Sequence, residues 1–332
     1  RSTLFPYTTL FRSSYVIQRR YKMLSTSPAL LEVFKNTYFK TAQQKQSKFQ
    51  KSGVLEYDNA NGAIHNLARI KPFEVSAIAS ANAASNAGTK TAWTTDNRQW
   101  YTTVYYAELL MDKEIDIDKA IADPTSSLMM NAVAAGNRQI DRTCAVAATA
   151  SISSGAPEQT KTTVAFAADG GKTIDATGGI TEALLRKIAQ NFQNSGLVDD
   201  EEWQNAAVFI TGSEEKQLFA LDKLINRLYT SYTDSNKARI QKVFDTYSVY
   251  VVPGSDADTT VTNPILTESS GTRTCLVVAP GALEAKIDIK SVEHFPTMET
   301  YLNSQMFRFK IEVGACRTEG ARVQILSTTI ES

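Results

Sequence analysis

The chain has 332 residues, with 35 basic and 35 acidic side chains and a formal net charge of zero. That balance excludes a dedicated nucleic-acid binder, which carries a strong basic surplus. Hydrophobic residues make up 42% of the chain, yet no apolar run approaches the ~20 residues of a membrane helix, so the composition predicts one large or two ordinary globular domains and no membrane span. Cys144, Cys275 and Cys316 are odd in number and widely spaced, which implies buried thiols rather than a disulfide framework.

In chain order, residues 3–13 read TLFPYTTLFRS. This resembles the translation of a sequencing adapter, so residues 1–22 are expected to be an artefact and the natural chain to begin at Met23. Residues 28–50 predict a helix capped by Ser27, with Leu31, Phe34 and Tyr38 at helical spacing, followed by a basic stretch. Residues 53–75 and 98–111 read as two extended runs. In the second, Trp100, Thr102, Val104 and Tyr106 alternate with Tyr101, Thr103 and Tyr105. The small, polar segment between them (79–97) predicts a mobile loop. Two long strands joined in this way make an arm, and an arm cannot bury both faces alone.

The strongest predicted helix follows, with Asp123 as cap, Pro124 at its first position, and Met129, Val133, Gly136, Ile140, Cys144 and Ala147 at three- and four-residue steps. Residues 151–180 read as loop or hairpin. Residues 181–195 predict a helix capped by Thr181, 206–212 a buried strand, 213–224 a helix capped by Ser213, and 244–254 a second strand. A third strand is predicted at 274–280, then a short helix PGALEAKI, then strands near 286–292, 305–314 and 321–328.

Tests for chemistry fail on specific residues. Gly170-Gly171-Lys172-Thr173 invites a phosphate-loop reading, but Phe166 stands where that motif needs glycine. His65 and His294 are the only histidines, and neither has ligand partners at metal spacing or a nucleophile elbow before it. The acidic run Asp199, Asp200, Glu201, Glu202 reads as a solvated helix start. No catalytic, cofactor or metal residue is assigned.

The order of parts resembles the major capsid proteins of tailed phages that share the Hong Kong 97-like fold. The stretch LMDKEIDIDKAIADPTSSLMMNAVAAGNRQIDRTCAVAATA is similar to their passage from loop into spine helix. ITEALLRKIAQNF is similar to the start of their axial domain. RTCLVVAPGALEAKI and Val313-Gly314-Ala315-Cys316-Arg317 resemble their C-terminal part. The resemblance covers residues 26–330 and rests on the order of these phrases.

It implies an α+β capsid fold with an N-terminal arm (23–51), an extended β loop (52–112), a spine helix with peripheral domain (113–177), an axial domain (178–253) and a return to the peripheral domain (254–332). It also implies pentamers and hexamers closing an icosahedral head around double-stranded DNA, with a separate scaffolding protein and a portal, in the virion and, during assembly, the host cytoplasm. Arg69, Trp100, Tyr101 and Tyr105 are the expected inter-subunit contacts, because exposed aromatics and arginine favour interfaces. The alternatives are an encapsulin-like compartment and an unrelated α/β enzyme or binding protein.

Overall fold

The computed structural model describes residues 44, 46–60, 62–70, 95–111, 125–155, 160–195, 203–221, 242–243, 247–256, 261–298 and 304–330. The expectations for residues 1–43, the loop tip at 71–94, the Asp123-Pro124 helix start and the acidic run at 199–202 lie outside them, as does the side chain of His294. The elements are α1 (Lys48–Ser52), β1 (Leu55–Tyr57), β2 (Ile64–Ile70), β3 (Thr95–Tyr101), β4 (Thr103–Met111), α2 (Thr125–Thr149), β5 (Ile152–Gly155), β6 (Thr162–Val164) and β7 (Lys172–Ala176). They continue with α3 (Glu182–Ser195), β8 (Ala207–Ile210), α4 (Gly212–Phe219), β9 (Lys242–Val243), β10 (Tyr247–Val251), β11 (Glu268–Ser269), β12 (Thr272–Val278), β13 (Leu283–Met298), β14 (Ser304–Arg317) and β15 (Val323–Thr329).

The chain divides into two compact units. The smaller comprises Arg1–Gln43, Tyr106–Val133 and Ser291–Phe309; the larger comprises Gln44–Tyr105, Ala134–Lys290 and Lys310–Ser332. In the smaller unit, Arg308 lies 5.7 Å from the Tyr106 ring centre and 5.5 Å from that of Phe295, with Glu108 at 2.7 Å.

The larger unit is built on a mixed sheet in the order β7-β15-β12-β8-β10-β9, with β11 on β12. All four residues of β8 are buried, as a central strand requires. Leu184, Leu185, Ile188 and Phe192 of α3 form its buried face. Gln324 of β15 fastens that helix by donating to the Ile188 carbonyl at 3.0 Å. Phe49 of α1 stacks on Phe209 of β8, ring centres 3.9 Å apart.

The helix α1 is held from its other end by α2. Asp141 is fully buried and accepts from Ser47 Oγ at 2.5 Å, from Lys48 N–H at 2.9 Å, from Phe49 N–H at 3.1 Å and from Gln44. Burial pushes this carboxyl above its ordinary range, and those hydrogen bonds pull it part of the way back.

A second sheet, β2-β3-β5-β6, is antiparallel throughout, and a third runs β1-β13-β14-β4. Each of the two expected extended runs is therefore shared between sheets. β1 and β4 belong to one, β2 and β3 to the other, with breaks at residues 58–63 and at Thr102.

Two expectations are corrected. PGALEAKI is not a helix: Gly281 turns at φ +66°, and Leu283 then pairs in parallel with Leu55, so strand partners override an ambiguous short run. Thr211, not Ser213, caps α4, because Glu214 accepts from both the backbone N–H and the hydroxyl of Thr211. The mixed sheet takes strands from both sides of residue 253: Leu276 of β12 pairs with Phe209 of β8, and β15 lies on the far side of β12.

Candidate inter-subunit surface

The hairpin of β2 and β3 has two unlike faces, because alternate residues point to opposite sides. On one face stand the cross-strand pairs His65/Trp100, Leu67/Arg98 and Arg69/Asp96; on the other stand Ile64/Tyr101, Asn66/Gln99 and Ala68/Asn97. The first face turns into its own subunit. His65, Asp96, Arg98 and Trp100 are all buried. Trp100 packs with Ile152, Cys316 and Val164. The second face carries Ile64 at 55% and Tyr101 at 60% exposure, directly opposite each other.

The four expected contact residues therefore separate. Tyr101 is exposed and Tyr105 half-buried. Arg69 is half-buried and pairs with Glu319 at 3.3 Å and Asp96 at 4.0 Å, at the edge of an open cleft of about 390 Å³ that Glu56, Gly281 and Arg322 also line. Trp100 departs from the expectation. The expectation takes it as an exposed aromatic, whereas it is 5% exposed and packs in the core of its own chain.

Sequence reasoning missed the cluster that holds this hairpin. Asp169 accepts from Arg98 Nη2 at 2.6 Å and Nη1 at 3.1 Å, and from Arg317 Nε at 2.9 Å. Arg98 also donates to the Arg317 carbonyl at 2.8 Å. Arg317 donates to the carbonyls of Ala148 and Ala150, at 2.8 and 3.0 Å, closing the C-terminal end of α2. One carboxylate thus joins strand β3, the end of β14 and the end of α2. Burial pulls the Arg317 guanidinium below its ordinary value, Asp169 opposes this, and the like charge of Arg98 adds to it.

The Gly170-Gly171 pair now has a structural reason. Gly170 adopts φ +92°, and a side chain at Gly171 would collide with the Phe166 ring. The Gly171 N–H is spent on the Phe166 carbonyl at 3.1 Å, so it does not face a phosphate. The turn's product is the placement of Asp169.

The described residues hold no group of three or more potential metal ligands. All three cysteines are buried; burial raises each thiol, Cys316 to about 11. Glu214 and Arg273 meet at 2.7 Å with both side chains fully buried, which ties α4 to β12. No histidine or cysteine lines the cleft beside Arg69.

A family model described as phage capsid protein matches residues 26–218. No curated protein matches. Among solved structures, the capsid of cyanophage P-SCSP1u superimposes with a TM-score of 0.60 at 13% identity, covering 90% of this chain and 93% of that one. Mycobacterium phage Che8 gives 0.61 at 12% identity, covering 89% and 96%. The head of Helicobacter pylori bacteriophage KHP40 gives 0.59 at 11% identity, covering 92% and 96%. Neither the encapsulin-like compartment nor the unrelated enzyme is favoured by these matches. The chain belongs to the phage capsid protein family, and its Hong Kong 97-like fold is that of a major capsid protein forming the shell of the phage head.

Proposed function

We propose that the chain assembles into pentamers and hexamers that close an icosahedral head around double-stranded DNA, and that it catalyses no reaction. The observation that carries this reading is the two-faced hairpin: one face is buried in its own subunit, while the other presents the Ile64/Tyr101 pair to whatever lies outside. In a closed shell that outside is another copy, met through a heterologous contact whose rotation closes. Arg69, Tyr101 and Tyr105 are the contact residues of this proposal.

Residues 52–112 act as the extended loop, rooted in two sheets. Residues 123–150 supply the spine helix. The axial domain takes residues 178–253 together with β12 and β15. The zero net charge fits DNA that is enclosed without sequence recognition. A separate scaffolding protein and a portal complete the assembly, which proceeds in the host cytoplasm.

Co-expression of the chain with candidate scaffold and portal genes tests the proposal. Negative-stain imaging is expected to show closed shells, and Tyr101→Ser with Tyr105→Ser is expected to leave folded subunits that do not close. Persistent wild-type monomers under these conditions would overturn it.

A further inference from the structure

His65 sits at the root of the hairpin, 3% exposed, and both of its ring nitrogens face oxygen acceptors. Nδ1 lies 2.5 Å from the Asp58 carboxylate, and Nε2 lies 2.8 Å from the Gly62 carbonyl. A neutral imidazole carries one N–H and one lone pair, so it can satisfy only one of these oxygens and must aim its lone pair at the other. An imidazolium satisfies both. The ring also stacks on Trp100, centres 4.4 Å apart and planes 22° from parallel, an arrangement that favours a cation over an indole face.

We propose that His65 is a proton-dependent latch: as imidazolium it ties Asp58 and Gly62 together, closes the turn between β1 and β2, and so fixes the root of the arm. Residues 58–63 are where the chain leaves the β1-β13-β14-β4 sheet and enters the hairpin. The charged groups coupled to this corner are Asp58 in the turn and Glu284 on β13, against Lys286 on β13, which donates to the Ala60 carbonyl. Glu284 Oε2 is buried without a hydrogen-bond partner.

The sign follows from the two partners. As pH rises and the ring loses its proton, one of the two bonds is lost and the root loosens. As pH falls, the latch holds until Asp58 is protonated. That carboxyl stays below its ordinary range, chiefly through the Ala60 N–H that it accepts. The latch is therefore closed while the ring carries both N–H groups and open once one of them is lost. It does not depend on the shell reading.

Hydrogen exchange of the full-length chain tests it, compared at about pH 5.5 and about pH 8.5. After correction for intrinsic exchange, the amides of residues 62–70 are expected to lose about tenfold in protection at the higher pH, the scale of one charge-assisted hydrogen bond. In Asp58→Asn, which keeps the ring and its stacking, that pH dependence is expected to vanish. Nitrogen NMR of the wild-type ring needs no variant for stability and should show two N–H groups at the lower pH and one at the higher; His294→Gln assigns the signals. A singly protonated ring at the lower pH, equal wild-type protection at both pH values, or undiminished pH dependence in Asp58→Asn would each overturn the latch.

Discussion

Arg98 and Asp169 are joined by two hydrogen bonds, at 2.6 and 3.1 Å, between side chains that are 0% and 5% exposed. Because Arg317 shares the same carboxylate, two buried guanidiniums depend on one anion. Removing that anion strands both cations. Asp169→Asn is therefore expected to cost about 3–5 kcal/mol of folding stability, the scale for breaking a buried pair from one side. Arg98→Met leaves Asp169 and Arg317 matched one to one and is expected to cost less. Urea denaturation of the full chain, with both variants beside the wild type, checks the order; equal losses would contradict it.

Asp141 makes a more local prediction. Its carboxylate supplies the acceptor for the N-terminal N–H groups of α1, a role usually taken by the cap residue alone. Asp141→Ala is expected to cost about 1–3 kcal/mol by leaving buried donors unmet. The damage should concentrate at residues 44–53. Limited proteolysis with mass spectrometry is expected to show new early cuts there, while cleavage elsewhere is unchanged.

Much of the fold could be read in advance, and the exceptions share a physical cause. The long helix, the buried strand at 207–210 and the α3 helix announce themselves through local periodicity and caps, and the order of parts identified the family. What stayed hidden depends on partners far along the chain. Asp96 and Arg98 alternate on the same side as Trp100, so hydropathy assigns that side to solvent; only Asp169 and Ser154, brought up by other segments, make its burial possible. The strand after Gly281 and the place of β12 beside β8 are likewise set by pairing, with Leu55 and Phe209 respectively. For the contact residues, alternation separates Trp100 from Tyr101 correctly, but aromatic residues on both sides of the strand conceal which side is inward.

Acid should weaken the larger unit through Glu214. Burial alone would raise this carboxyl, but the Thr211 hydroxyl, the Arg273 charge and the Thr328 hydroxyl outweigh it and hold the group below its ordinary value. The folded state then binds the proton less readily than the unfolded chain, whose glutamate titrates near about pH 4.3. The stabilisation is complete above that pH and is lost as pH falls toward the lower folded value. Asp141 and Glu284 are shifted upward and work in the opposite direction, so the whole-chain curve mixes signs. A paired comparison isolates the effect: the difference in urea midpoint between wild type and Glu214→Gln is expected to shrink as pH drops below about 4.3. A difference that stays constant across that range would show that Glu214 does not titrate as described.

Gly314 tests whether the hairpin root tolerates any added atom. A Cβ there would lie 2.6 Å from the Tyr101 carbonyl oxygen, 2.8 Å from Trp100 Cζ3 and 3.0 Å from Thr102 Cα. Two of those neighbours are backbone, and the third is an indole confined by His65 on one face. None is the free end of a flexible side chain, so the strand itself has to move at the point where β3 passes into β4. Gly314→Ala is expected to cost about 1–3 kcal/mol, the usual penalty for overpacking. It should also shift the fluorescence of Trp100, identified by its loss in Trp100→Phe. Gly178 provides the control, because a Cβ there meets nothing within 4 Å and its φ is not in the left-handed region. Gly178→Ala should leave both stability and fluorescence unchanged. If the two alanine variants behave alike, the close approach of β14 to the hairpin root is not what makes Gly314 necessary.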